Sequence, residues 1–216
     1  MAEPTVLEAD FFTAIGTQRA MRRLKPDPVP EEYIKKIIWV ATRAPNGGNR
    51  QPWRFLVVTD EAKRRRLGEI YKRAWDSYVV QGYTTPDPKL PPDQAESNQK
   101  VLKSSQYLAD HMGEAPVLII PCAFGQTANA GIAAGASIYP AIQNLMLAAR
   151  ALGLGTTLTT LHRFFEDEVR ELLAIPATVD TAALIPVGWP KGRFGEGLRQ
   201  PVEAVTYWDQ WGVKRP

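Results

Sequence analysis

Arg43-Ala44-Pro45-Asn46-Gly47-Gly48-Asn49-Arg50-Gln51-Pro52-Trp53-Arg54-Phe55 joins the end of a helical pattern to the start of an apolar, strand-like run. Its glycines permit positive φ and let a ligand come close to the backbone, while the Asn49 carboxamide offers both a donor and an acceptor. Taken alone, Gly47-Gly48-Asn49 is better explained as a plain turn. The surrounding chain has to decide between the two.

Upstream, the apolar spacing predicts a helix over residues 8 to 17. A second helix follows Pro30, with Ile34, Ile37, Ile38 and Ala41 on one face. Downstream, residues 54 to 59 read as a buried strand and 61 to 80 as a charged helix. Residues 82 to 98 hold Gly82, Pro86, Pro88, Pro91 and Pro92 among polar side chains, which predicts an irregular excursion and a substrate lid, with Tyr78 and Tyr83 nearby. A helix near 98 to 112 and a strand at 116 to 120 come next. The stretch 133 to 152 is apolar on almost every helical face, so it calls for a core or a subunit interface. Strands at 155 to 161 and 181 to 187 flank a helix whose first turn carries Glu166, Asp167 and Glu168, the sign favoured by the helix dipole. The aromatic tail from Arg199 to Trp211 is expected to pack along a neighbouring subunit. The alternation predicts an α+β fold, with helices around one sheet in a single domain over residues 1 to 216.

Composition narrows the function. The 216 residues are 44% hydrophobic, and 26 basic against 23 acidic side chains leave a charge of +3. That suits an anionic small molecule and is too sparse for a dedicated nucleic-acid binder. With Cys122 as the single cysteine and no CxxC or HExxH spacing, neither a disulfide framework nor a zinc site is expected. No membrane span is expected, and a cytoplasmic location fits best. His111 and His162 lack triad spacing, and Cys122 reads as a small buried hydrophobe. Gly153-Leu154-Gly155 lacks the third glycine and the strand-to-helix order of a dinucleotide turn.

The ordered series Ala-Pro-x-Gly-Gly-Asn-x-Gln-Pro-Trp-x-Phe resembles the flavin-binding segment of the nitroreductase family. The resemblance runs over nearly the whole chain: Arg19 to Leu24 with Pro26 to Pro30, then Ala148 to Leu161, and finally Pro186 to Pro190 with Arg199 to Glu203. It implies a central, mainly antiparallel sheet packed between helices, completed by a C-terminal arm (residues 199 to 216) exchanged in a homodimer. FMN is the implied cofactor and NADH or NADPH the electron donor, with a small acceptor such as a nitroaromatic or a quinone reduced in ping-pong fashion. A non-catalytic flavin-binding module remains open, as do variants that dehalogenate, reduce activated alkenes or consume flavin.

The residues carried over are Arg19, Ala20, Met21 and Arg22; Pro45, Asn46, Gly47, Asn49 and Gln51; Thr160 and Leu161 by backbone; and Arg199. Arg22 and Arg199 are assigned to the phosphate, where a guanidinium supplies charge and fork geometry. Arg19 is assigned to the N1 and O2 side of the ring, Asn49 to the pyrimidine edge, and Thr160 and Leu161 to N5 and O4. No side chain is assigned as catalytic, because flavin N5 carries the chemistry. The chain has Gln18, Ala20 and Asn46 where the family often has arginine, serine and serine.

Overall fold

The structure is a computed structural model that describes residues 9–84, 92–124 and 131–215. Its sheet is antiparallel throughout: β1 (Trp53–Val58) pairs with β2 (Val117–Phe124), β2 with β5 (Ile185–Gly188), and β5 with β3 (Gly155–Thr156). The short β4 (Val179–Thr181) pairs with the far end of β2.

Alternation along β2 explains the layers. Val117, Ile119 and Ala123 face one core together with Ile34 and Ile37 of α2 (Glu31–Ala41) and Ile142 and Leu145 of α6 (Ile138–Ala151). Leu118, Ile120 and Cys122 face a second core, built on Leu67 and Ile70 of α3 (Glu61–Ala74), Leu108 of α5 (Pro92–His111) and Val169 of α7 (Glu166–Leu173). Successive side chains of a strand point to opposite faces, so one apolar strand supports both helical layers. This is the α+β sandwich expected from the sequence.

Several boundaries differ. β2 continues through Pro121 to Phe124, so Cys122 lies inside the strand and not beyond it. Proline ends a sequence-based strand because it lacks an N–H, yet Pro121 here pairs with Phe55, and its carbonyl accepts from Ala182 N–H at 2.9 Å. The strand expected at 155 to 161 shrinks to β3 plus a bridge from Thr159 to Leu184. The strand expected at 181 to 187 is divided between β4 and β5. The apolar stretch after residue 133 becomes an α-helix only at Ile138, preceded by a 3-10 turn.

The excursion at 82 to 98 also changes character. Helix α3 passes through a π-helical turn (Trp75–Val79) into α4 (Val80–Thr84), and α5 begins at Pro92 rather than near 98. Proline is tolerated at a first helical position, where its missing N–H has no intrahelical partner to lose. Residues 85–91 of the expected lid lie outside the described residues. At the other end of the chain, α8 (Val202–Val205) leads into a tail folded on itself: Lys214 Nζ donates to the carbonyls of Ala204 and Thr206, each at 3.0 Å, and Trp211 remains 89% exposed.

Candidate functional site

The segment from Arg19 to Lys25 is fastened to the sheet by backbone bonds. Ala20 forms a parallel bridge with Thr156, and Met21 N–H donates to Thr156 O at 2.9 Å. Lys25 N–H reaches Trp189 O at 2.7 Å, and Lys191 N–H reaches Arg23 O at 2.8 Å. The close approach requires Gly155, where an added Cβ would stand 2.8 Å from Met21 Cβ and 2.9 Å from Leu24 Cδ2.

This clamp turns the arginines toward a cavity of about 530 Å³, whose lining includes Arg19, Ala20, Met21, Arg22 and Arg23 from the clamped segment and Arg199 from the tail. Ser97, Lys100 and Ser104 line it from α5. Among the described residues, no carboxylate lines it. Arg22 Nη1 donates to Ser104 Oγ at 3.3 Å, Arg19 Nη2 to Arg193 O at 2.9 Å, and Arg199 Nη1 to Leu198 O at 2.8 Å. A guanidinium has five N–H donors, so each fork keeps capacity for an anion. The sequence reading missed Arg23, Ser97, Lys100 and Ser104. The α5 residues recur at helical spacing; of them only Ser97 falls in the stretch read as irregular, and Lys100 and Ser104 lie in the expected helix without any motif to single them out.

The turn that opened the sequence argument is a 3-10 turn (Gly47–Asn49), with φ of 59° at Gly48 and 50° at both Asn49 and Gln51. Asn46 holds it: its Oδ1 accepts from Gln51 N–H at 2.8 Å, and its carbonyl accepts from Asn49 N–H at 3.2 Å. Gln51 Nε2 donates to Asn49 Oδ1 at 3.4 Å. Asn46 Oδ1 therefore braces the turn. Pro45, Gly47, Asn49 and Gln51 are exposed.

This turn is not part of the arginine cavity. Gly47 N–H donates to Ser137 Oγ at 3.3 Å, just ahead of α6. The Arg19 segment is anchored further along the helix, through Gln18 Nε2 to Met146 Sδ at 4.0 Å and Arg150 Nε to Thr17 Oγ1 at 2.8 Å. At 1.5 Å per residue the two anchorages are about 13 to 20 Å apart along the axis. The structure thus brings Arg19, Ala20, Met21 and Arg22 to Arg199, but not to Pro45 through Gln51.

From β3 the chain runs through buried Thr157 and Thr159 to exposed Thr160, which opens onto a second depression of about 400 Å³ with Arg163, Phe164 and Glu166. Leu161 begins the 3-10 turn (Leu161–Phe165) that shapes it. Beneath lies a polar relay. Thr181 Oγ1 donates to Glu166 Oε1 at 2.6 Å, and Arg170 Nη2 donates to the same oxygen at 2.9 Å. Burial raises the Glu166 pKa, but these partners outweigh it and hold the carboxyl below its ordinary value. The single Thr181 Oγ1–H is committed to Glu166, so His162 Nε2–H must donate to Thr181, across 3.0 Å. His162 Nδ1 is then a bare acceptor, buried and without a hydrogen-bond partner among the described residues, like Thr157 Oγ1. Burial pushes the His162 pKa down to about 4 and the Cys122 thiol up to about 11, so both are neutral near pH 7.

An antiparallel sheet between helical layers, with a cavity lined by arginines at its edge, defines an α+β domain. The Nitroreductase family model matches residues 15–189, and the chain belongs to that family of oxidoreductases. Arg199 lies beyond the matched span. An NADH dehydrogenase of Thermus thermophilus is 31% identical over 215 residues, covering 95% of this chain and 99% of that protein. The iodotyrosine deiodinase of Danio rerio is 28% identical over 197 residues, which cover 83% of this chain and 60% of the deiodinase. A crystal structure of oxidized iodotyrosine deiodinase bound to FMN and 3-iodo-L-tyrosine superposes with a TM-score of 0.70 at 25% identity, covering 89% of this chain and 96% of that one. Among the described residues, no group of three or more His, Cys, Asp or Glu could hold a metal ion, and no helix is long and apolar enough to cross a membrane.

Proposed function

We propose that this chain is an FMN-dependent oxidoreductase that takes reducing equivalents from NADH or NADPH and passes them to a small acceptor such as a nitroaromatic or a quinone. The cationic cavity beside β3 carries this reading. An FMN phosphate is nearly dianionic and needs charge-assisted donors; Arg22 and Arg199 would hold it, with Ser104 beside them. Arg19 would place positive charge on the N1 and O2 side of the ring, and the backbone of Thr160 and Leu161 would meet N5 and O4. When bound, FMN supplies two-electron transfer; the protein's part is orientation and electrostatics.

The separation of the two flavin-binding stretches along α6 supports a homodimer in which the Pro45 to Gln51 turn of a second copy covers the ring. So does an apolar groove of about 310 Å³ between α1 (Phe11–Thr17), α2 and α6, bordered by Phe11, which is 65% exposed. Likeness to iodotyrosine deiodinase favours a second reading, reductive removal of a halogen from an aromatic ring by the same cofactor.

Anaerobic mixing of the purified protein with NADH and with NADPH tests the proposal. A bound ligand with the mass of FMN, whose visible absorbance bleaches on mixing, is the expected result. An unchanged spectrum supports a non-catalytic flavin-binding module, and a colourless protein overturns the cofactor assignment.

A further inference from the structure

The depression below Thr160, lined by Arg163 and Phe164, and the ring packed behind Phe164 are features that flavin binding does not use. Tyr78, on the π-helical turn, stacks on Phe164 with ring centroids 4.6 Å apart and planes 8° from parallel. Both rings stay open to solvent, at 56% and 50% exposure. A π turn inserts a residue into the helical register, re-aims the side chains that follow, and is frequent at functional sites. Phe165 differs from this pair: Arg73 covers it at 4.1 Å, and it packs against the second core.

Arg163 stands beside the stacked pair. Its side chain is 58% exposed, and the Glu166 carboxylate lies 3.9 Å away, beyond hydrogen-bond reach. Through its other oxygen, Oε1, that carboxylate is engaged by Arg170 and Thr181. The neighbouring cations Arg66 and Arg73 are paired with Glu69 and Glu168. Among the described residues Arg163 is therefore the most loosely paired cation of this cluster, held only by the 3.9 Å contact to Glu166. Its N–H donates to Thr160 O at 3.1 Å, which ties it within one turn of the backbone assigned to the reacting edge of the flavin.

We propose that this depression is the acceptor subsite and that it selects an aromatic anion, its ring against the Phe164 and Tyr78 pair and its anionic group on Arg163. The assignment rests on the reductase reading, which places the reacting edge at Thr160. Aromatic rings gain from offset or edge contact with such a platform, and a guanidinium matches a carboxylate in two parallel bonds. A neutral aromatic would keep the ring contact and lose the ion pair; an aliphatic acid would do the reverse.

4-Nitrobenzoate and the neutral isostere 4-nitrobenzamide separate these contributions in the intact holoprotein. Equilibrium binding by calorimetry is the primary readout and kcat/KM with each acceptor the second. The wild type is expected to favour the benzoate. Arg163→Gln should lower benzoate affinity about tenfold, equivalent to about 1.4 kcal/mol, while leaving benzamide affinity and flavin content unchanged. Arg163→Lys should be intermediate, and Phe164→Leu should weaken both ligands together. Equal wild-type affinity for the two, or a ratio unmoved in Arg163→Gln, overturns the subsite. Benzoate selectivity in a protein whose flavin is not bleached by NADH or NADPH sinks the reductase and spares the binding site. Bleaching without selectivity does the opposite.

Discussion

Stability should fall as pH drops from 7 to 5, and His162 should carry most of the loss. The side chain is 1% exposed and donates to Thr181, and burial pushes its pKa from 6.5 to about 4. Between those values the unfolded chain binds a proton that the folded chain refuses. The stabilisation is thus present above pH 6.5, declines as pH falls, and is exhausted once the folded pKa is passed. With those two pKa values, linkage gives a loss of about 2 kcal/mol between pH 7 and pH 5, with a local slope near pH 5 of about 1.2 kcal/mol per pH unit. Carboxyls held below their ordinary values, such as Glu166, act in the same direction but mainly below pH 5. Urea unfolding at a series of pH values measures the slope. In His162→Gln, which keeps a donor for Thr181 but cannot titrate, the dependence between pH 7 and 5 should flatten. A slope as steep in that variant as in the wild type would refute the assignment to His162.

Two predictions bear on the proposed flavin site. Arg22→Ala and Arg199→Ala should each weaken FMN binding by about 1.5 to 3 kcal/mol, the scale of a hydrogen bond to a charged group, as read by fluorescence titration of the apoprotein with FMN; unchanged affinity in both removes the phosphate assignment. Asn46→Ala should cost about 0.5 to 1.5 kcal/mol of stability, because Gln51 N–H loses its acceptor. The positive φ values at Asn49 and Gln51 are then less well held, so FMN affinity should fall as well. Wild-type stability and affinity together would show that the turn does not depend on Asn46.

Local patterns were read most reliably where neighbours a few residues apart carry the information. The spacing of Ile34, Ile37 and Ala41 announced α2, and all three are buried. The run after Arg54 announced β1, and the acidic first turn announced α7. The errors came where packing overrode local chemistry. Prolines suggested an irregular stretch before residue 98, yet Pro92 opens a helix. Pro121 looked like a strand end, yet β1 and β4 flank the strand on both sides of it.

By itself the sequence determined the alternation of strands and helices and an ordered set of motifs naming the family and its flavin-binding stretches. Only the tertiary structure decided which of those stretches meet. Arg22 and Ser104 are hydrogen-bonded across 82 positions, and Arg19 and Arg193 across 174. Such contacts leave no periodic trace, because they follow from how the clamped segment, α5 and the tail pack around one sheet edge. The same kind of packing set Tyr78 against Phe164. A side chain's type is written locally, whereas its partner is chosen by the whole fold.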